Sequence, residues 1–172
     1  PKKIKTAVFI SGTGSNLKNL IKFSLKKNSP IEINLIVSNS DGAKGLKYAT
    51  LYQIKKKIYN FCKKKISEKR TLKDLKSNDI KLICLAGFMK ILSKDFIRKF
   101  KGNILNIHPS LLPKYKGLNA HQRVIKNREK YSGCTVHLVN SKLDSGKIIL
   151  QKKVKLSKNE TPSSLEKKIL KR

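Results

Sequence analysis

Apolar residues along this chain come in short bursts, and the spacing inside each burst predicts the element it builds. Thr6-Ala7-Val8-Phe9-Ile10 is a continuous apolar run of strand length, and the glycine-rich Ser11-Gly12-Thr13-Gly14-Ser15-Asn16 ends it. Leu17, Leu20, Ile21 and Leu25 then recur at helical spacing, so the chain opens as strand, turn and helix, the start of a doubly wound α/β unit. Residues 31–37 read as a second strand closed by Ser38-Asn39-Ser40-Asp41-Gly42, residues 45–52 as a helix, and residues 54–61 as a weak strand broken up by lysine. Ser67 is the expected N-cap of a helix over 67–77, and 80–86 is the clearest buried strand. A helix capped by Ser93 runs to residue 100, a strand covers 103–107, and residues 118–127 look helical. Residues 132–140 and 147–156 alternate as two strands able to pair antiparallel. Thr161 as N-cap and Pro162 at N1 start a helix that runs to the end of the sequence. The alternation predicts an α/β fold, a mixed, mainly parallel sheet with helices on both faces.

At 172 residues the expectation is a single domain over 1–172, large enough to bury a sizeable core. No run of 18 apolar residues exists to span a membrane, and Pro1-Lys2-Lys3-Ile4 leads into a strand without a signal-peptide pattern. Cys62, Cys84 and Cys134 are scattered, with no CxxC or Cys/His ligand spacing, so reduced thiols, no metal and a cytoplasmic setting are expected.

The formal charge of +31 suggests a polyanion partner at first sight. Only five of the 41 basic residues are arginine, the residue suited to bidentate phosphate and base readout. The few aromatics form no stacking pattern with them. Lys55-Lys56-Lys57 and Lys63-Lys64-Lys65 read as solvated faces, and the abundance of Lys, Ile and Asn reads as compositional drift rather than as a nucleic-acid footprint.

The candidate chemistry lies in Leu105-Asn106-Ile107-His108-Pro109. In a strand, Asn106 and His108 share a face while Ile107 points the other way, and Pro109 stops the pairing where the two polar groups emerge. An amide donor beside an imidazole suits acyl transfer, although a turn cap beside a core histidine has the same pattern. Gly14, Ser15, Asn16 and Leu17 open a helix after a strand, a place for a phosphate monoester; Ser15 as an ordinary cap is the alternative. The motif is neither a dinucleotide fingerprint nor a P-loop. Met89, Lys90, Ile91 and Leu92 follow the carboxyl end of the best strand, where open α/β sheets bind ligands or where a loop simply packs. Asp144 supplies a carboxylate in the turn Leu143-Asp144-Ser145-Gly146. His121 and His137 read as structural.

Taken in order, Ile10–Leu17, Leu85–Leu92, Asn106–Gly117 and Leu143–Gly146 resemble the folate-dependent glycinamide ribonucleotide formyltransferase family, from Lys5 to the last residue. The resemblance implies a Rossmann-like formyltransferase fold and the transfer of a formyl group from 10-formyltetrahydrofolate to the amine of glycinamide ribonucleotide, in purine synthesis. It implies Asn106, His108 and Asp144 as the catalytic trio, and Gly14, Ser15, Asn16 and Leu17 at the ribonucleotide phosphate. Around the folate it implies Arg70, Met89, Lys90, Ile91, Leu92, Asn106, Asn140, Ser141, Lys142, Leu143 and Asp144. It further suggests a cis Leu112–Pro113 bond, no metal, no membrane or nucleic-acid partner, and a monomer or homodimer. Asn119 stands where the family often has His, and the helix that ends at Arg172 normally continues into a further C-terminal segment. Formyltetrahydrofolate hydrolase and methionyl-tRNA formyltransferase share the trio. Each usually carries an additional domain, and the small-phosphate turn favours the ribonucleotide enzyme.

Overall fold

Both faces of the first strands are apolar, so they are covered on both sides. In a computed structural model that describes residues 2–171, the elements are β1 (Ile4–Ile10), α1 (Ser15–Ser24), β2 (Ile31–Ser38), α2 (Leu46–Leu51), β3 (Lys55–Ile58), α3 (Lys64–Ser77), β4 (Leu82–Leu85), α4 (Lys94–Lys99), β5 (Asn103–His108), α5 (Ala120–Lys126), β6 (Tyr131–Leu138), β7 (Ile148–Lys155) and α6 (Pro162–Leu170). The seven strands form a mixed sheet in the order β3-β2-β1-β4-β5-β6-β7. The chain divides into two compact units, one ending at Leu105 and the other starting at Asn106.

In the first unit β1 pairs in parallel with both β2 and β4, and β2 pairs in parallel with β3. The β1–β2 register shifts after Thr6, which leaves Asn34 out of the pairing. Alternation sends Val8 and Ile10 into a core with Leu17 and Ile21 of α1 and Leu46 and Ala49 of α2. Phe9 points to the other face, edge-on to Phe88 and to Phe96 of α4, while Phe61 meets Phe88. The edge strand β3 reads Lys-Lys-Lys-Ile, and charge of this kind on an edge discourages pairing with another chain.

In the second unit β6 and β7 form the antiparallel pair expected from the alternation. Leu165 and Ile169 of α6 pack with Val124 of α5 and Val154 of β7. Thr161 and Ser164 make a reciprocal capping box at the start of α6, with Pro162 in its first turn. The final residue, Arg172, lies outside the described residues.

Two sequence expectations need correction. The helix expected from Ser67 starts at Lys64, behind a 3-10 turn over Phe61–Lys63. Asn60 caps that 3-10 turn by accepting from Cys62 N–H, α3 itself follows Lys63 with no side-chain cap, and Ser67 lies within the helix, its hydroxyl donating to the Asn60 carbonyl at 2.6 Å. The second correction concerns α1, whose N-cap is Gly14 at φ 74°, not Ser15.

The turn before α1 depends on a pair of glycines. A Cβ on Gly14 would lie 2.6 Å from the Gly45 Cα, and one on Gly45 would lie 2.9 Å from the Gly14 Cα. A Cβ on Gly12 would meet nothing within 4 Å. Gly14→Ala is therefore expected to lose about 1–3 kcal/mol of stability from overpacking, with left-handed strain in addition. Gly12→Ala should stay within about 0.5 kcal/mol of the parent. Urea unfolding of both variants checks this, and equal losses would contradict the backbone contact.

Candidate active site

A strand that turns off at a proline can deliver two neighbouring same-face polar groups to one acceptor. β5 does this with Asn106 and His108, and the acceptor is Asp144. Asn106 Nδ2 lies 3.3 Å from Asp144 Oδ1, and His108 Nδ1 lies 3.3 Å from Asp144 Oδ2. Gly117 N–H donates to the same Oδ2 at 2.8 Å. The Asp144 side chain is only 8% exposed, so these donors replace water that the carboxylate has lost. Its backbone sits at φ 44°, in the left-handed region that Asp tolerates better than most residues. Gly146 completes the turn, because a Cβ there would run into the Leu138 carbonyl oxygen.

The three residues picked from sequence meet, and a fourth joins them. His137, expected to be structural, is buried on β6 with Nε2 3.1 Å from Asn106 Nδ2 and 3.6 Å from Asp144 Oδ1. Its Nδ1 faces the Leu138 carbonyl at 2.9 Å. A neutral His137 protonated on Nδ1 accepts an Asn106 amide proton. A charged His137 donates from Nε2, to Asp144 or to Asn106 once its amide has turned Oδ1 inward. The charge on His137 and the orientation of Asn106 are thus linked. Alternation along β6 shows that His137 is buried; only the fold shows what it is buried against.

Burial disfavours the Asp144 anion, but the hydrogen bond to His137, the Gly117 N–H and the charges of His108 and His137 outweigh it and hold the carboxyl below its ordinary value. Burial likewise disfavours a charged His137. The Asp144 hydrogen bond, the Leu138 carbonyl and the Asp144 charge outweigh that and raise its pKa. His108 Nε2 lies 2.8 Å from the Tyr115 carbonyl. With an oxygen acceptor facing each ring nitrogen, the site satisfies both N–H groups of an imidazolium.

The Tyr115 carbonyl is held by the segment after Pro109. Thr135 Oγ1 donates to the Ser110 carbonyl at 2.7 Å and accepts from Leu112 N–H and Gln151 Nε2, and Gln151 also donates to the Leu112 carbonyl. The Leu112–Pro113 bond is cis, as the sequence resemblance suggests. The Tyr115 hydroxyl donates to Glu129, and the Arg123 guanidinium lies 5.7 Å from its ring centroid. Asn119 is the N-cap of α5 at φ 57°, a left-handed position that Asn tolerates. His121 on α5 has an unpartnered buried Nδ1 and a pKa pushed down by burial, opposed by Glu166 and helped by His108.

In the first unit, α1 has no side-chain cap and no acid in its first turn, so the amides of Ser15, Asn16 and Leu17 are available to an anion. Met89 and Ile91 are exposed after β4, whereas Leu92 is buried; Lys90 and Arg70, the latter on α3, are exposed. In the second unit, Asn140 Oδ1 accepts from Lys142 N–H, and Ser141, Lys142 and Leu143 are exposed ahead of Asp144.

The class that this fold and cluster define is an α/β domain equipped for acyl-group transfer. The chain belongs to the formyl transferase family, whose model matches residues 4–172. It is 42% identical to a phosphoribosylglycinamide formyltransferase of Haemophilus influenzae over 94% of this chain and 78% of that protein. It is also 43% identical to the trifunctional purine biosynthetic protein adenosine-3 of Gallus gallus, over 97% of this chain but spanning only 17% of that relative's length. The crystal structure of phosphoribosylglycinamide formyltransferase from Anaplasma phagocytophilum superposes with a TM-score of 0.93 at 39% identity, covering 99% of this chain and 80% of that one.

The opposed shifts set a pH window. Asp144 has a lowered folded value, so its stabilisation is present above 3.8 and lost as pH falls through that folded value. His137 has a raised one, so its stabilisation is full below 6.5 and lost as pH rises through that folded value. The stability gap between the parent and Asp144→Asn should therefore be widest between those limits, about 3–5 kcal/mol for breaking a buried pair, and narrow on both sides. Chemical denaturation across pH checks this, and a gap that does not change with pH would contradict the pairing.

Proposed function

We propose that this chain transfers the formyl group of 10-formyltetrahydrofolate to the primary amine of glycinamide ribonucleotide, in purine biosynthesis. The observation that carries the reading is the convergence of Asn106, His108 and His137 on the buried Asp144 carboxylate. Relatives named for this activity over most of their own length support it.

The amine lone pair attacks the formyl carbon, and the carbonyl electrons move onto oxygen. With His137 charged, Asn106 accepts from it through Oδ1 and turns Nδ2 toward the developing oxyanion. His108 keeps Nδ1 on Asp144 and moves Nε2 from the Tyr115 carbonyl to the same oxygen. Asp144 holds the imidazolium charge and draws a proton from the attacking amine through water. The tetrahedral intermediate collapses, the bond from carbon to the folate nitrogen breaks, and water relays the proton taken up by Asp144 to that leaving nitrogen. No covalent bond to the protein forms in this scheme, and holding the two reactants together supplies much of the acceleration.

The binding roles belong to the same reading. Gly14, Ser15, Asn16 and Leu17 take the ribonucleotide phosphate on free helix amides. Met89, Lys90, Ile91 and Leu92 border the folate ring through backbone groups and exposed apolar side chains. Asn140, Ser141, Lys142 and Leu143 do so ahead of Asp144, and Arg70 is the arginine assigned to the acidic folate tail.

The test is folate deformylation followed by absorbance, with and without glycinamide ribonucleotide. The expected result is turnover that requires the ribonucleotide. Turnover without it would replace the reading with a hydrolase. Asp144→Asn should lower kcat/KM about 10²–10⁴-fold, and Asn106→Ala about 10²–10³-fold. An Asp144→Asn variant of near-parental activity would sink the proposed mechanism.

A further inference from the structure

Ser11 ends the turn-side of β1, and its polar groups go to separate segments of the first unit. Its backbone N–H donates to the Gly87 carbonyl at 3.1 Å. Its hydroxyl oxygen accepts from the Met89 N–H at 2.7 Å, and its hydroxyl proton goes to Asn39 Oδ1 in the turn after β2. The next residue continues the linkage, because the Gly12 carbonyl accepts from Gly45 N–H at 2.9 Å, beside the close Gly14–Gly45 backbone contact. One half-buried side chain thus joins the glycine turn that leads into α1 to the Gly87–Met89 loop that follows β4.

A hydroxyl accepts from one of these partners and donates to the other through a single oxygen atom. The donor to Asn39 orients the oxygen, and the oriented oxygen fixes the Met89 amide. Displacing the glycine turn moves Ser11, and moving Ser11 releases or tightens Met89. Two segments joined through a shared hydrogen-bonded residue share the entropy of ordering, so a ligand that orders one lowers the cost of ordering the other.

Resting on the assignment of these two segments to the ribonucleotide phosphate and to the folate, we propose that Ser11 is a positioning residue that couples them, so that each substrate strengthens the binding of the other. Neither ligand need touch Ser11 for this to happen.

Calorimetric titration of the chain with glycinamide ribonucleotide, with and without saturating tetrahydrofolate, reads the coupling directly. For the parent, tetrahydrofolate should tighten the ribonucleotide Kd by about 5-fold or more. In Ser11→Ala the ratio should fall to near unity while each ligand alone still binds, and Ser11→Thr should restore it. Asn39→Ala, which removes the acceptor that orients the hydroxyl, should lower the ratio in the same direction. A parental ratio of unity, or an undiminished ratio in Ser11→Ala, overturns the proposal. If the parent binds neither ligand, the assigned function fails, and amide exchange of the free chain decides the coupling. Ser11→Ala should then speed exchange at Met89 and across Gly12–Asn16 together, and unchanged exchange at either segment overturns it.

Discussion

The arrangement of the site depends on keeping one carboxylate ionised with almost no water around it. Removing a carboxylate from water costs several kcal/mol unless charges and hydrogen bonds replace the lost solvent. Asp144 meets that condition with a backbone N–H from Gly117, an amide from Asn106 and two imidazoles. Each of these partners is therefore constrained in turn. Asn106 and His108 need the same-face spacing of a strand, His137 needs a buried position on β6, and Gly117 needs a loop that returns its N–H to the same oxygen. The turn itself needs Gly146, whose position leaves no room for a side chain against the Leu138 backbone.

The loop that closes on Asp144 is held by polar bonds in addition to the buried side chain of Leu112. Thr135 is fully buried, and its hydroxyl is satisfied in full: it donates once, to Ser110, and accepts from Leu112 and from Gln151. Satisfying a fully buried hydroxyl in this way restricts its partners to one geometry, even though Gln151 itself lies at the exposed end of the network. This ties the path of residues 110–113 to β6 and β7, and through Tyr115 it fixes the carbonyl that faces His108. Precision at the imidazole thus originates in a threonine and a glutamine that touch neither His108 nor Asp144.

The elements were legible in the sequence where one interaction range decided them. Short apolar and alternating runs marked the strands, and Ser93 and Thr161 announced their helices because a cap is a local hydrogen bond. Ser67 misled because serine also bonds backbone carbonyls from inside a helix, and the chain here enters α3 through a 3-10 turn capped by Asn60. At the site, the joint aim of Asn106 and His108 followed from strand geometry. The arrival of Asp144, thirty-eight residues beyond Asn106, came from the family resemblance rather than from local pattern. His137 was readable only as a buried strand residue, because its importance lies in a partner outside its own strand. Ser11 escaped notice for the same reason, its Met89 contact spanning 78 positions of sequence.

The lysine-rich surface and the buried cluster obey different electrostatic rules. A formal +31 produces a field that attracts anions in general. Salt screens that field over roughly 8 Å at physiological ionic strength, so exposed lysines act on approach and contribute little at a site walled off from water. The buried cluster works under the opposite rule, since a low-dielectric surrounding magnifies each of its few charges. High salt and substitution at Asp144 therefore act on different things: salt weakens the long-range field of the exposed lysines, while loss of the carboxylate removes the group on which Asn106, His108 and His137 converge.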